Sequence, residues 1–583
     1  MAADRVSRQD ASKWSDMSSV PDEGLAPVME DEAAGGRWYG VILAASVAVI
    51  IAALMAVYLL VSRRAAGESG FPLDDSWIHV RFAQNLARGY GFSFNPGQPA
   101  STTTGPLWTV VLALAYRMTR EYLFTSAAVN WVFCCLTALT AGAIARTLVP
   151  RRAFGAAVSL VVAVTVPLPW MALSGMEPPL SMWLTLLGIL LHLRLRTARG
   201  VAALAPTAVF GLAVYARPEL LLLFPLAMLD RLLMAARERR PGWGLGWARE
   251  VAAHAPLFAL IVAPLFIYNE RVIGRPLPSS YYVKAWNFGI TWALAMRSNK
   301  LLIESLVIVP IKEIGALLLM WAGNNAVLIV PFVFGFGQLV RRSGDGETSA
   351  HRSLLVPLVL VVQPVAWAVS TGYHRAPWFQ SQRYVANLGP LYIVVGMAGA
   401  WWLWQQRLRL RGRWTVAAGV ALIVAASLAR QPDQARMYAL NVKNITDMQV
   451  TTARWLKQHV PKDSLLAAND VGAIGAITDM RVLDMIGLVS PEILRHLTLE
   501  NARGGVWNRL IWQEAADRKV DYLVVVMKPE RYEGFVRSGH RPIFKIEISD
   551  NITCGGPLIV VFESKWRDRG GRPARAADSG ASP

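Results

Sequence analysis

Of the 583 residues, 54% are hydrophobic and only 17% charged, with 22 tryptophans and a mean hydropathy of +0.35; this is too apolar for a soluble multidomain protein and reads as a polytopic membrane protein. A formal charge of +19 does not mark a nucleic-acid binder, because the arginines sit in short clusters between apolar runs and not along one basic face. Three cysteines, with Cys134 and Cys135 adjacent inside an apolar run and Cys554 lacking a partner, argue against a disulfide framework and a cysteine metal site.

Residues 1–37 are polar, net acidic and rich in Ser, Asp and Glu, which suits a disordered cytoplasmic tail with no cleavable signal peptide. The first long apolar run, Tyr39 to Val61, leads into the stretch Pro72 to Trp108, which sets Asp74 and Asp75 just beyond the membrane edge. From Ser76 to Arg88, Trp77, Ile78, Phe82 and Leu86 recur at helical spacing, while His79, Arg81, Gln84, Asn85 and Arg88 take the other side. The spacing predicts a short amphipathic helix lying on the bilayer surface. Gly89 and Gly91 stop it, and Asn95-Pro96-Gly97 turns the chain toward a second apolar segment, Pro106 to Tyr116, expected to be re-entrant or juxtamembrane.

Further runs follow at Thr125 to Ala145, Phe154 to Trp170, Pro179 to Leu193, Val201 to Tyr215, Glu219 to Leu229 and Val251 to Tyr268. Four more lie at Gly315 to Val340, Leu354 to Ser370, Val385 to Trp404 and Trp414 to Ala429, for about eleven spans. Arginine clusters at Arg146/Arg151/Arg152, Arg194/Arg196/Arg199, Arg231 to Arg240, Arg341/Arg342 and Arg407 to Arg413 fall on one side, the cytoplasmic one, although Arg63 and Arg64 then lie outside. The Asp74-Asp75 loop falls on the opposite face. So do four polar signatures: SGMEP at Ser174 to Pro178, ARPE at Ala216 to Glu219, the segment ending SSYYVK at Lys284, and the segment ending QRY at Tyr384. Their convergence on one side is the main sequence evidence for a site.

Beyond about residue 430 the composition becomes that of a soluble domain. A helix is expected at Thr451 to His459 and strands at Ser464 to Ala468, Arg481 to Ile486, Asp521 to Met527 and Leu558 to Phe562, giving a small extracytoplasmic α/β domain over 431–567 and a disordered tail over 568–583. Asn444-Ile-Thr446 and Asn551-Ile-Thr553 match glycosylation sequons by pattern.

Paired carboxylates at a membrane boundary suit proton abstraction from an acceptor hydroxyl, with the second carboxylate orienting it or helping to hold a divalent cation. They equally suit capping, since Asp74 is a good N-cap for the helix that follows. His79 lies one turn after Asp75 and can pair with it. Glu177 beside Pro178 fits a hydroxyl-orienting or metal-ligating role, or simply a helix start. Arg217, Lys284, Arg375 and Arg383 are outward-facing cations suited to an anionic leaving group or to snorkelling at the interface. Tyr281, Tyr282, Trp378 and Tyr384 suit sugar stacking, a lipid groove or an aromatic belt.

The sequence DDSWIHVRFAQNLARGYGFSFNPG followed by PLW resembles the first outer loop of the C-type (GT-C) glycosyltransferase superfamily, enzymes that take sugars from polyprenyl-phosphate carriers. SGMEP, ARPE, GRPLPSSYYVK and QRY extend the likeness over most of the chain from Tyr39 to Trp404. Within the superfamily, the chain is most similar to mycobacterial terminal arabinofuranosyltransferases and their bacterial relatives, although the run Ser101 to Gly105 departs from the Tyr-Thr-Ser that often precedes Pro-Leu-Trp there. The resemblance implies a GT-C-like all-α polytopic membrane bundle over 38–430, with juxtamembrane helices in the first outer loop. It implies an inverting sugar transfer at the periplasmic or outer face, from a polyprenyl-phosphate donor to a glycan, lipid or protein acceptor.

Under that likeness Asp74 or Asp75 is the base, and Arg217, Lys284, Arg375 and Arg383 meet the donor phosphate. His79, Glu177, Tyr281, Tyr282 and Tyr384 meet substrate, and any divalent cation (Mg, Mn or Ca) would sit at Asp74 and Asp75. A lipid-linked-sugar transporter and a catalytically inactive scaffold are the competing readings. Transporters place their polar features near the midplane in related halves, and this chain shows neither. The segment Asp470 to Glu492 resembles part of the outer domain of related bacterial proteins and suggests no role by itself.

Overall fold

In the computed structural model the chain is described over residues 36–101, 103–238, 242–285, 289–342, 353–372, 380–408, 413–498, 500–501 and 504–567. Most of it is helical. Three helices, Trp38–Ala66, Leu123–Leu148 and Trp243–Ile273, are long and apolar enough to cross a membrane, and shorter apolar helices accompany them. The apolar runs of the sequence fall largely on helix, and two of them are broken: Phe154 to Trp170 divides into Arg152–Ala163 and Leu168–Leu173. The run Gly315 to Val340 is two helices, Val309–Asn325 and Ile329–Arg342, which meet where Asn325 leaves helical geometry at φ −160° and ψ 88°. Asn325 is fixed there by its amide, which donates to the Ile423 carbonyl at 2.8 Å and to Ser427 Oγ at 2.9 Å. Apolarity is continuous through this break, so periodicity could not show it.

The first loop folds into two helices, Asp74–Ala87 and Pro106–Thr119. At 14 residues each and 1.5 Å per residue, neither reaches across a ~30 Å hydrocarbon core. The amphipathic helix forms as the spacing predicts, but most of its polar side is covered: His79, Arg81 and Asn85 are 0–2% exposed, while Arg88 stays open to solvent. Asn85 donates to the carbonyls of Ser93 and Phe94 at 2.8 Å, and Arg81 donates from Nε to the Phe94 carbonyl at 2.9 Å and pairs with Asp479. A polar stripe reads as a solvated face only until another domain covers it.

That cover is the C-terminal α/β unit. Its five-stranded sheet runs in the order β2-β1-β3-β5-β4, with β1 (Leu465–Ala468), β2 (Arg481–Asp484) and β3 (Tyr522–Met527) parallel, and β5 (Leu558–Glu563) antiparallel to both β3 and β4 (Arg541–Glu547). The sequence reading missed β4, whose Pro542 and alternating charges disguise a strand; proline is tolerated there because β4 lies at the sheet edge. The chain leaves β1 through the Gly472–Thr478 helix to β2 on one side, and reaches β3 on the other through Trp507–Asp517. The carboxyl end of β1 is therefore a topological switch point, where open α/β sheets leave a crevice.

The first loop fills this crevice. Asp74 accepts the amides of Gly472 (2.7 Å) and Ala473 (2.8 Å), and Asn95 both accepts from and donates to the backbone of Val482 at 2.9 Å, covering the edge strand β2. Glycine is required at two points of this joint. A Cβ on Gly472 would lie 2.0 Å from the Asp74 carbonyl oxygen, and one on Gly475 would lie 2.5 Å from the Phe94 ring. The Asn444 sequon residue is 2% exposed and bonded to the Asp550 carbonyl and the Ile552 amide, so this triplet clasps a helix to the β4–β5 turn.

Candidate active site

Asp75, Ile78, His79 and Phe82 share one face of the Asp74–Ala87 helix at i, i+3, i+4 and i+7, and all four line one cavity. The SGMEP loop closes one side. Three side chains hold it: Ser76 Oγ donates to the Ser174 carbonyl (2.6 Å), Trp108 Nε1 to Gly175 (2.9 Å) and Asn130 to Met176 (3.0 Å). These bonds explain why DDS and PLW sit where they do. They fix Glu177, fully buried at the start of the Pro178–Arg194 helix, between His79 Nε2 at 3.1 Å and Arg217 Nη1 at 2.8 Å. Burial works against its ionisation, but the His79 hydrogen bond and Arg217 hold the Glu177 carboxyl well below the usual range. Glu177 is thus the hub that orients Arg217 and His79. Arg217 also pairs with Glu219 at 2.5 Å, the second carboxylate of ARPE.

The other wall comes from the segment after Thr371. Gln380, Ser381 and Gln382 all have positive φ (45°, 52° and 70°), a left-handed turn that costs about 1–2 kcal/mol per non-glycine residue. Such strain concentrates at functional sites. The turn is held by a reciprocal amide pair between Gln382 and Asn324, both bonds 3.1 Å, and it delivers Arg383 and Tyr384 to the cavity. Arg383 Nη2 donates to Asp75 Oδ2 at 2.5 Å and to the Tyr384 hydroxyl at 2.8 Å. Its other donors are poorly matched among the described residues: Nη1 reaches only the Met176 sulfur at 3.0 Å, and the buried Nε has no acceptor.

The Lys284 ammonium lies 4.6 Å from the centre of the Tyr384 ring and makes no ion pair among the described residues. The Arg217 and Arg383 guanidinium groups lie 5.4 Å and 4.8 Å from the same ring. Three cations thus surround one aromatic ring. Against them the described lining residues set two carboxylates, Asp75 and Glu177, which leaves the chamber net positive. Asp75 is 38% exposed, toward this chamber. Although surrounding protein desolvates it, Arg383, then Lys284 and His79, hold it below the ordinary carboxylate value. The same cations outweigh burial at Tyr384 and draw its hydroxyl below the usual phenol value.

Seven of the residues singled out from the sequence therefore converge: Asp75, His79, Glu177, Arg217, Lys284, Arg383 and Tyr384. Asp74 does not line the cavity; its oxygens are spent on the Gly472–Thr478 helix, so it does cap a helix, but one from the other domain. Burial, then neighbouring Asp470, raises the Asp74 carboxyl to about 8 against the pull of those two amides. Tyr281 and Tyr282 pack beside the cavity: the Tyr282 hydroxyl accepts from the Leu277 amide at 3.2 Å, its ring lies under Arg275, and Tyr281 meets it edge-on. Arg375 and Trp378 lie outside the described residues.

The sequence reading overlooked a hydroxyl rim of Ser101, Thr103, Thr104, Ser279 and Ser280, although both segments are among its motifs; the tyrosines of SSYYVK drew attention from its serines. It also overlooked Leu488 and Val489, from the Asp470 to Glu492 segment, which close the cavity from the C-terminal unit.

Among the described residues no three His, Cys, Asp or Glu side chains are grouped to hold a metal, and Asp74 and Asp75 are engaged with amides and with Arg383.

A family model described as a domain of unknown function, DUF8728, matches residues 443–567. No curated protein sequence matches the chain. The chain shares its fold with solved structures of ArnT and of an oligosaccharyltransferase. The apo crystal structure of ArnT from Cupriavidus metallidurans is similar at 11% identity, over 88% of this chain and 97% of that one, with a TM-score of 0.54. The same protein bound to undecaprenyl phosphate gives 11%, 89%, 98% and 0.52, and the Archaeoglobus fulgidus oligosaccharyltransferase with Zn and sulfate gives 10%, 89%, 74% and 0.51.

Proposed function

We propose that the protein is an inverting membrane glycosyltransferase that moves a sugar from a polyprenyl-phosphate donor to a hydroxyl of an extracytoplasmic acceptor. The observation that carries this reading is the chamber itself: an ionised Asp75 beside Arg383, Lys284 and Arg217, with guanidinium donors on Arg383 that no oxygen of the described residues satisfies. Buried, unmatched N–H groups are costly unless a ligand completes them, and a phosphate supplies the acceptors. The GT-C fold and the undecaprenyl phosphate bound by ArnT support the choice of donor.

In this scheme the acceptor oxygen attacks the anomeric carbon as its proton passes to the Asp75 carboxylate. The bond from that carbon to the phosphate oxygen breaks, and its electron pair leaves with the polyprenyl phosphate, whose charge Lys284, Arg217 and Arg383 stabilise. A carboxylate is base enough where the attacking oxygen becomes acidic during bond formation, as in inverting glycoside chemistry. Pentose and hexose donors are equally compatible with the cavity's hydroxyl rim.

The arginine clusters support about eleven spans. They also support an outer location for the chamber and the C-terminal unit in a plasma or inner membrane. A reporter fused after Trp566 and active only in the cytoplasm would overturn that orientation.

The decisive substitution is Asp75→Asn, which keeps shape but cannot accept the proton. Transfer from a polyprenyl-phosphate sugar should fall by ~10²–10⁴ while undecaprenyl phosphate still binds. Full transfer in this variant would remove Asp75 as the base.

A further inference from the structure

The hydroxyl rim of the chamber has a polarity that its composition hides. A hydroxyl donates one hydrogen and accepts through two lone pairs, so a set of serines and threonines is ordinarily a two-way surface. In this rim the hydrogens are spent inside the protein. Ser101 Oγ donates to Asn269 Oδ1 at 3.1 Å, and the Asn269 amide is turned that way round because its nitrogen donates to the Pro276 carbonyl at 3.4 Å. Ser279 Oγ donates to the Leu488 carbonyl, and Thr104 Oγ1 to Glu177 Oε1 at 3.4 Å.

Thr103 is settled by the groups behind it. Glu177 Oε2 faces His79 Nε2 at 3.1 Å, which places a ring hydrogen on Nε2 and leaves Nδ1 an acceptor in the neutral imidazole. Thr109 Oγ1 lies 3.4 Å from His79 Nδ1 and 3.4 Å from the Gly105 carbonyl, so its own hydrogen has two acceptors away from the chamber. Its oxygen then receives the Thr103 hydrogen, at 3.0 Å the shortest contact of the three. This direction does not depend on the charge of His79. With a hydrogen on both ring nitrogens, Thr109 turns its own to Gly105 and Thr103 still donates. Thr109 is fully buried and does not line the cavity, so it acts only by positioning.

Ser101, Thr103, Thr104 and Ser279 therefore offer the chamber oxygen lone pairs and no hydrogen, with Ser280 the rim hydroxyl outside this pattern. We infer that the rim selects the transferred sugar by the hydrogens of its hydroxyl groups, with Thr103 as a specificity-determining residue. The inference rests on the proposed transferase reading and deepens it. Sugar hydroxyls donate to the rim, while the phosphate oxygens take the hydrogens of Arg217, Lys284 and Arg383, so the two parts of a sugar phosphate match the two kinds of group in the lining. A substituent that only accepts, such as a uronic acid carboxylate or an acyl carbonyl, sets lone pairs against lone pairs at the rim and is rejected. A site built to bond a hydroxyl also discriminates against an analogue that lacks it. Ring size is not read, and both a pentose and a hexose meet the requirement.

The test is a binding experiment on the full-length protein in nanodiscs, since fluorine also slows glycosyl transfer and would confuse a rate. The probes are synthetic undecaprenyl-phosphate-linked arabinofuranose, mannose and glucose, and the tightest of these with each hydroxyl in turn replaced by fluorine, which cannot donate. At one position or more the fluoro analogue should bind the native protein roughly tenfold or more weakly than the hydroxyl compound. Bare undecaprenyl phosphate should bind the native protein and every variant alike. Thr103→Val removes the accepting oxygen and should erase the difference between the two compounds, whereas Thr103→Ser should keep it. Thr109→Val leaves the Thr103 hydrogen free to turn to the chamber, so the fluoro analogue should gain on the hydroxyl compound; Thr109→Ser should not show this gain. Lost packing would not produce such a reversal, and the Thr109 pair serves if Thr103→Val does not fold. Fluoro analogues that bind as well as the hydroxyl compound at every position overturn the inference. So does a difference that persists unchanged in Thr103→Val and Thr109→Val, or sugar-bearing lipids that bind no tighter than undecaprenyl phosphate. The expected hydroxyl dependence without sugar transfer to any acceptor would count against the transferase reading alone, and transfer without that dependence against the rim alone.

Discussion

Two buried charge clusters sit at opposite ends of the helical bundle, and they are satisfied very differently. At the end marked by the arginine clusters, Asp230 is fully buried and has four partners: His192 Nε2 at 2.8 Å, Arg196 Nη1 at 3.2 Å, Ser353 Oγ at 3.1 Å and the Leu354 amide at 2.5 Å. At the other end, Arg383 is 4% exposed yet among the described residues keeps one donor without an acceptor and offers another only to sulfur, while Lys284 has an aromatic ring and no paired carboxylate. Burial and charge are alike in the two places. What separates a structural clasp from a binding chamber is whether the protein completes its own hydrogen bonds.

The largest effect that can break this comparison is expected at the clasp. Asp230→Ala strands His192, Arg196 and a backbone amide in a buried site, and removing one partner from a buried pair costs ~3–5 kcal/mol. Thermal unfolding in detergent should show a large loss, with undecaprenyl phosphate affinity of the surviving folded protein unchanged. Arg383→Met should do the reverse. Losing charge-assisted bonds to a phosphate should weaken undecaprenyl phosphate binding by ~1.5–3 kcal/mol, roughly ten- to 150-fold, with far less change in melting temperature. Lys284→Met should follow the same pattern to a smaller extent. If Asp230→Ala instead impaired the ligand and Arg383→Met only the fold, the distinction between the two clusters would be wrong.

The sequence made one half of this comparison legible. Charge asymmetry of the loops placed DDSW, SGMEP, ARPE, SSYYVK and QRY on one face, and the cavity assembles side chains from all five. The helical spacing of Asp75, His79 and Phe82 was equally visible. What stayed hidden depends on contacts between residues hundreds of positions apart. The polar stripe of Arg81 and Asn85 looks solvated until Asp479 and the C-terminal unit are laid over it. Asp74 and Asp75 are equivalent by spacing, and only the Gly472–Thr478 helix, some 400 residues away, takes one of them out of the chamber. Asp230, just past the Glu219 to Leu229 run, gave no signal because its partners lie on other segments.

Between the large effects and the smallest lies the joint of the two parts. Asn95→Ala removes both side-chain bonds to Val482 and leaves two backbone groups of an edge strand unpaired, an expected cost of ~1–3 kcal/mol. Hydrogen exchange should localise it, with faster exchange over β2 and the Met485–Ser490 turn and no change in the helical bundle. Uniform loosening of the whole chain would mean that the C-terminal unit does not open separately from the membrane part.

The smallest effect separates the adjacent carboxylates. Asp74→Asn keeps one acceptor for the Gly472 and Ala473 amides, so it should cost about 1 kcal/mol of stability. It should leave sugar transfer nearly intact, in contrast to Asp75→Asn. Its signature is in the pH dependence. Asp74, raised to about 8 by burial and Asp470, holds its proton in the folded protein far above the pH at which an unfolded aspartate releases it, 3.8. A folded state that binds more protons than the unfolded one loses stability as pH rises, so this contribution is present at about pH 4 and gone above about 8. Because Asp470 is buried beside it and also raised, the pair titrates jointly, and the joint should weaken as the second charge forms. Melting temperatures measured from pH 5 to 9 should fall with pH in the parent and fall less in Asp74→Asn, while transfer by the variant stays close to the parent's. A steeper fall in the variant, or loss of transfer equal to that of Asp75→Asn, would place Asp74 in the chemistry and undo its assignment to the joint.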